Sequence, residues 1–314
     1  MKNRKQTVLF QMDPLEKLDH NSDSTIIIIL EGLKRNFDVW IGLPNNLTLQ
    51  NCKAKIFAQP VLNERLDLGD SKFIDIEKLD FYFIRQDPPF NQRYLTNCYM
   101  LEVHQKFNNK PFFVNNPGSI KNFTEKIFPL YFQKYMPDTF LTEDTDLFLS
   151  ILEKYKRLVI KTLYNKGGEG VEKVNIESKQ DAVESFKKII KSFGVPCMVQ
   201  EYKENVIFGD KRVILVDGNP VGAVNRIPKK GDFKANLHLG GLAEKTHLTD
   251  KENEICKSIK ETLVKEQLFF VGIDIIDEKL TEINVTSPTG ISQINDLDKI
   301  NIAEILWDTL LNKK

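Results

Sequence analysis

Apolar positions along this chain fall into short runs that alternate with stretches of helical character. Thr7 to Met12 (TVLFQM) predicts a strand that Asp13-Pro14 ends. Ser24 to Asn36 predicts a helix with Lys34 and Arg35 in its last turn, where cations suit the negative end of the helix dipole. Phe81 to Arg85 (FYFIR) reads as a buried strand stopped by Gln86-Asp87-Pro88-Pro89. A helix over Thr96 to Asn108 and a strand at Pro111 to Val114 follow, closed by Asn115-Asn116-Pro117-Gly118. Strand, helix, strand over about 120 residues predicts a parallel α/β domain with its active loops at the carboxyl ends of the strands.

From about Lys121 to Glu201 a second unit is expected: a helix near Thr124 to Tyr135, a strand at Leu158 to Lys161, a glycine-rich loop, a further strand, a helix near Gln180 to Phe193 and a strand at Cys197 to Glu201. The remainder is richer in hairpins. Lys211 to Val216 and Val221 to Arg226 flank Asp217-Gly218, a strong hairpin-turn signal. Phe269 to Ile276 and Leu280 to Val285 flank Asp277-Glu278-Lys279.

Composition narrows the function classes. At about 150 residues per domain, 314 residues predict two domains or three small ones. Lys plus Arg and Asp plus Glu both number 44, so bulk positive charge is not available to hold nucleic acid. The longest aliphatic run, Ile26 to Leu30, is far short of the ~20 residues of a membrane span. Lys2, Arg4 and Lys5 precede only the short apolar stretch Val8 to Phe10, so no secretory signal is expected. The cysteines (Cys52, Cys98, Cys197, Cys256) are scattered and fit a reducing, cytoplasmic setting better than a disulfide frame or a zinc site.

Three constellations carry candidate chemistry. The first is Tyr164-Asn165-Lys166-Gly167-Gly168-Glu169-Gly170-Val171. It lacks the spacing of a P-loop or of a dinucleotide fingerprint, and a strand rather than a helix follows it. A hairpin tip with three glycines lets backbone N–H groups approach phosphate oxygens, although such a tip is also an ordinary mobile turn. The second is Lys161, ending an apolar strand just before that loop: it either snorkels to solvent or meets a buried anion. The third is the hairpin from Gly272 to Val285. With a three-residue loop at Asp277 to Lys279, Asp274 pairs with Glu282, and Asn284 shares their face. Two carboxylates facing across a sheet repel unless a cation lies between them, and hard oxygen ligands point to Mg²⁺ or Mn²⁺. A two-residue loop would set Glu282 opposite Ile275, on the wrong face. Arg85 and Arg226 end strands, where arginines suit bidentate recognition of carboxylate or phosphoryl groups or form surface ion pairs. No Ser-His-Asp or Cys-His set is evident. A phosphate loop, a buried lysine and paired acidic ligands together imply phosphoryl transfer from a nucleoside triphosphate.

These residues lie in segments that resemble the bacterial-type glutathione synthetases of the ATP-grasp superfamily. The resemblance covers almost the whole chain: MDP from Met12, RQDPPF from Arg85, Asn115 to Ser119, TEKIF from Thr124, VIKTL from Val159 with its glycine loop, VQEY from Val199, GDKRVILVDGNPVGAVNRIP from Gly209, NLHLGG from Asn236, FVGIDII from Phe270 and TEINVTSPTGI from Thr281. It implies an N-terminal α/β domain (1–122), an ATP-grasp central domain (123–203) and a C-terminal catalytic domain (204–314).

The resemblance also implies roles. Lys126 and Lys161 contact ATP phosphates, and Gly167 and Gly168 close over them. Glu201 and Tyr202 form the hinge that holds adenine, with Asp210 near the ribose. Arg212 and Arg226 stand at the transferred phosphoryl group, and Asp274, Glu282 and Asn284 hold two Mg²⁺ (or Mn²⁺) ions. Arg85, Ser287 and Thr289 lie near the peptide and glycine. Residues 227–241 form a lid, with Lys234, Asn236 and Gly241 as substrate contacts. The chain departs from the family pattern at Asn165-Lys166 before the glycines, at Lys234 where Arg is usual, and at Leu242 where a basic residue is common. The implied activity joins γ-glutamylcysteine and glycine through an acyl phosphate, in a cytoplasmic homo-oligomer with no nucleic-acid or membrane partner. Another ATP-grasp ligase, adding D-alanine or glutamate, is the alternative.

Overall fold

The computed structural model describes residues 4–165, 167–235 and 240–313. Three sheets follow one another along the chain. The first contains β1 (Thr7–Met12), β2 (Asp38–Gln50), β3 (Lys53–Pro60), β4 (Lys72–Asp75), β5 (Phe81–Arg85) and β6 (Phe112–Val114) in the order β4-β3-β2-β1-β5-β6, with helices α1 (Ser24–Lys34), α2 (Gln92–Phe107) and α3 (Pro117–Asn122). Its centre is parallel, as expected, through β2-β1-β5-β6. The antiparallel extension β3-β4 was not anticipated. It is obscured because Pro44-Asn45-Asn46 interrupts β2, where the register skips between Gly42 and Leu47.

Asp23 caps α1 by accepting the N–H groups of Thr25 and Ile26, and Asn91 caps α2 through Tyr94 N–H. Helix α1 buries Ile26, Ile28 and Ile29 against β1 and β2. At β6 the buried side chain of Asn115 satisfies three backbone groups of the third sheet: it donates to Phe270 O (2.8 Å) and Val285 O (2.7 Å) and accepts from Phe270 N–H (2.8 Å).

The second sheet holds β7 (Thr139–Thr142), β8 (Arg157–Lys161), β9 (Val171–Asn175) and β10 (Cys197–Glu201), ordered β7-β10-β8-β9 and antiparallel throughout. Helices α4 (Thr145–Tyr155) and α5 (Lys179–Phe193) cover one face, with Phe148 stacked on Phe186 at 4.3 Å between centroids. The segment before this sheet is not the α-helix expected over Thr124 to Tyr135. Residues Phe128–Tyr135 form a 3₁₀ helix with Pro129 in its first turn and a non-helical Phe132.

The third sheet contains β11 (Asp210–Val216), β12 (Asn219–Ile227), β13 (Leu242–Lys245), β14 (Phe270–Ile276) and β15 (Lys279–Asn284), in the order β13-β12-β11-β14-β15. Helix α6 (Asp250–Lys265) opens with a capping box between Thr249 and Glu252. Helices α7 (Ile291–Asp298) and α8 (Ile302–Asn312) return to the first sheet. There Trp307 meets Phe37, Phe81 and Phe83 edge-on or tilted and donates to Ile28 O at 3.0 Å. The first and third sheets therefore share one core, and the second stands across a cleft from the third.

Candidate active site

The cleft has a volume of about 670 Å³ and draws its walls from the second and third sheets and from the loops at residues 17–23 and Asp87-Pro88 beside the first. Its floor is the third sheet. The antiparallel register sets Arg212 opposite Asp274 and Asp210 opposite Arg226, so side chains of opposite charge meet directly across the strands. Arg212 donates to Asp274 from Nε (2.5 Å) and Nη2 (2.9 Å) and to Thr289 O from Nη1 (3.1 Å). Arg226 Nη2 stands 2.6 Å from Asp210 and 3.0 Å from Asp274. Gly272 leaves room for this, since a Cβ there would meet Pro288 at 3.0 Å and Arg212 at 3.2 Å.

Burial opposes ionisation of Asp274, but the two guanidinium groups outweigh it and hold the carboxyl well below its usual range. Asp210, with a smaller share of that positive charge and Asp274 nearby, is pushed by burial up to about 6.

The hairpin carrying the acidic pair corrects one expectation and keeps its consequence. Its loop has two residues, Asp277 and Glu278, both at positive φ, and Ile276 pairs with Lys279. A bulge then leaves Thr281 extra, so that Asp274 still pairs with Glu282. Thr281 Oγ1 donates to Asp274 O at 3.1 Å within that bulge. Asn284 Nδ2 donates to Asp274 Oδ2 at 3.3 Å. Asp274, Glu282 and Asn284 all line the cleft; among the described residues no group of three His, Cys, Asp or Glu assembles. Hard oxygens of this kind fit Mg²⁺ or Mn²⁺.

The facing wall belongs to the second sheet. The loop between β8 and β9 is a hairpin tip: Lys161 pairs with Val171, and Gly167, Gly168 and Gly170 have φ of 67°, 80° and 65°. Gly170 is required by space as well, because a Cβ would lie 2.3 Å from Thr162. Lys161 does not snorkel to bulk solvent. It is 8% exposed and lines the cleft, where burial lowers its pKa while Glu282 opposes that shift. Lys126 donates to Asn165 O at 2.5 Å, and Lys234 to Gly168 O at 3.0 Å. Tyr202, just after β10, is buried with the Lys173 ammonium 4.0 Å from its ring centroid, and Glu201 pairs with Lys203.

Lys126, Lys161, Gly167, Gly168, Glu201, Tyr202, Asp210, Arg212, Arg226, Lys234, Asp274, Glu282, Asn284, Ser287 and Thr289 all line this one cleft. Asn236 lies outside the described residues. Gly241 packs against backbone instead of the cleft; a Cβ would lie 2.6 Å from Ala235 O. Leu242, beside it, is exposed on β13. Arg85 is buried behind the Ser287–Thr289 loop. It donates to Thr25 Oγ1 (3.0 Å) and Pro288 O (3.0 Å), and Ser287 Oγ donates to Arg85 O at 3.3 Å. Sequence reasoning missed Glu125, which lines the cleft and accepts from Thr286 Oγ1 at 2.5 Å, and whose carboxyl burial pushes up. Its signal was its place beside Lys126 in TEKIF.

The prokaryotic glutathione synthetase N-terminal domain matches residues 7–121, and the ATP-grasp domain of the same family matches residues 125–299. A glutathione synthetase of Agrobacterium fabrum is 36% identical over 318 residues, covering 98% of this chain and 97% of its own. One from Mesorhizobium japonicum is 35% identical over 312 residues, with 98% of both chains covered. Among solved structures, the ATP-grasp ligase PsnB with its minimal precursor has a TM-score of 0.66 at 15% identity, covering 98% of each chain. D-alanyl-alanine synthetase A of Vibrio cholerae has a TM-score of 0.63 at 15% identity, again over 98% of each chain. These two establish the ATP-grasp fold. With both family domains and full-length relatives in agreement, the chain belongs to the prokaryotic glutathione synthetase family.

Proposed function

We propose that the cleft residues divide the labour of glutathione synthesis between a charged floor and a closing roof. The reaction is the ATP-dependent joining of γ-glutamylcysteine and glycine, with release of ADP and phosphate. Lys126, Lys161 and the N–H groups around Gly167 and Gly168 hold the phosphates. Glu201, Tyr202 and Asp210 hold the nucleoside. Arg212 and Arg226 face the carboxylate as it attacks the γ-phosphorus, and they offset the charge that develops there. Asp274, Glu282 and Asn284 would hold two divalent ions, Mg²⁺ or Mn²⁺, which neutralise phosphate charge when bound.

Glycine then attacks the acyl phosphate and phosphate leaves. Ser287 and Thr289 orient the peptide, and Arg85 acts from behind them by holding the Pro288 carbonyl. Lys234, with Asn236 and Gly241 in the same lid segment, closes the site, which keeps water from the acyl phosphate. The supporting frame is the division at residues 122 and 203, a cytoplasmic setting and a homo-oligomer of two or four chains, all carried by the family resemblance.

The observation that carries this reading is the convergence of buried lysines, paired arginines and oxygen ligands on one cleft. ADP release over a panel of dipeptides and amine acceptors tests it. Turnover with γ-glutamylcysteine plus glycine, and none with paired D-alanine or with glutamate as the added amino acid, is the expected result. Turnover with D-alanine alone would establish the alternative.

A further inference from the structure

The segment after β12 presents one large apolar side chain that the reaction above does not use. Phe233 lines the cleft, and its ring meets that of Tyr202 at 6.4 Å between centroids and 74° between planes. Lys234, the next residue, reaches the Gly168 carbonyl. Two neighbouring lid residues therefore touch the second sheet in different ways, an ammonium on the glycine loop and a ring on the hinge.

Charged and apolar groups share the wall of the cleft. Lys126, Lys161 and the arginines line it, and Val159, Val171, Val206 and Ile276 join Tyr202 and Phe233 in supplying apolar surface. A nucleoside triphosphate needs both kinds of contact, with anionic phosphates at one end and a flat, weakly polar base at the other. The base needs flat apolar contact, and aromatic rings supply it with little loss of side-chain freedom. The Tyr202 ring is already steadied by the Lys173 ammonium and meets Phe233 in an edge-type arrangement, which orients the Phe233 ring.

We propose that Phe233 is a specificity-determining residue for the base of ATP, forming the lid side of the base slot. The inference rests on the ATP-dependent ligase reading above and adds a residue to it. Base–aromatic contacts of this kind change affinity by about 10- to 100-fold on truncation.

The test uses the full chain and calorimetric titration with ADP and, separately, with inorganic tripolyphosphate, which carries the phosphates without a base. Phe233→Ala should weaken ADP at least tenfold and leave tripolyphosphate within twofold of the parent. Phe233→Tyr should restore ADP binding. In steady state the KM for ATP should rise while that for glycine stays put. Equal weakening of ADP and tripolyphosphate would overturn the proposal, because Phe233 would then only latch the lid. Unchanged ADP affinity would also overturn it. A parent chain that binds neither ligand would instead refute the ATP-dependent reading on which the proposal stands.

Discussion

The floor and the roof of the cleft are built in opposite ways. On the floor, Arg212, Arg226 and Asp274 are each less than 8% exposed and are held by cross-strand register, so their positions are set by the hydrogen bonds of a five-stranded sheet. On the roof, Gly167 has nothing within 4 Å of where a Cβ would stand, and among the described residues Lys126, Lys234 and the Phe90 N–H each give the glycine loop one hydrogen bond from outside it. A buried charge network resists rearrangement because breaking it strands an ion in a low dielectric. A loop with few apolar contacts opens at little cost. On the proposed function, the difference teaches where precision is needed: the floor would meet developing charge, and the roof would admit and release ligands.

The largest effect should come from breaking the floor at its centre. Asp274→Asn removes the carboxylate shared by Arg212 and Arg226. It should cost about 3–5 kcal/mol of folding stability and abolish turnover, read by denaturant melts and by ADP release. A variant with unaltered stability would mean that the network does not brace the floor.

Glu282→Gln should separate chemistry from packing. Glu282 is only half-buried, and on the proposed reading removing its charge alters a metal ligand, so stability should stay within about 1 kcal/mol while activity falls by at least about 100-fold at ordinary Mg²⁺. Turnover near the parent rate would remove Glu282 from the metal site.

The roof should yield smaller changes. Lys234→Ala should raise the KM for ATP about threefold, the loss of a single hydrogen bond of ordinary strength. Proteolysis at Lys229, Lys230 or Lys234 should be suppressed when ATP and γ-glutamylcysteine are bound together. Equal cleavage with and without the ligands would make the roof as fixed as the floor.

Most of the floor could be read from the sequence, because a hairpin fixes its neighbours by counting. Asp217-Gly218 and the alternation around it place Arg212 and Arg226 on adjacent strands. The Asp274–Glu282 pairing was foreseen for an incomplete reason: the loop is one residue shorter than assumed, and the Thr281 bulge makes up the difference. A bulge has no clear signature in side-chain pattern, since it depends on the local twist of two strands. Helix α6 was not anticipated: it opens on a capping box at Thr249-Asp250-Lys251-Glu252, but its largely polar surface hides its period. Arg85 illustrates what position along a strand cannot give. Its place at the end of β5 is legible, yet its burial behind Pro288 depends on a contact with a segment 203 residues away. Phe233 sits in a segment without regular structure, where periodicity says nothing about which way a side chain turns.

The central claim is that a substrate carboxylate takes the γ-phosphoryl group on this floor before the amine attacks. It is tested most directly with γ-glutamylcysteine whose reacting carboxylate carries ¹⁸O. Turnover with ATP and glycine should transfer one ¹⁸O from that carboxylate to each phosphate released, because the C–O bond that breaks lies on the carbon side of the acyl phosphate. Phosphate without ¹⁸O, recovered alongside labelled glutathione, would contradict the acyl phosphate and the role given to Arg212 and Arg226.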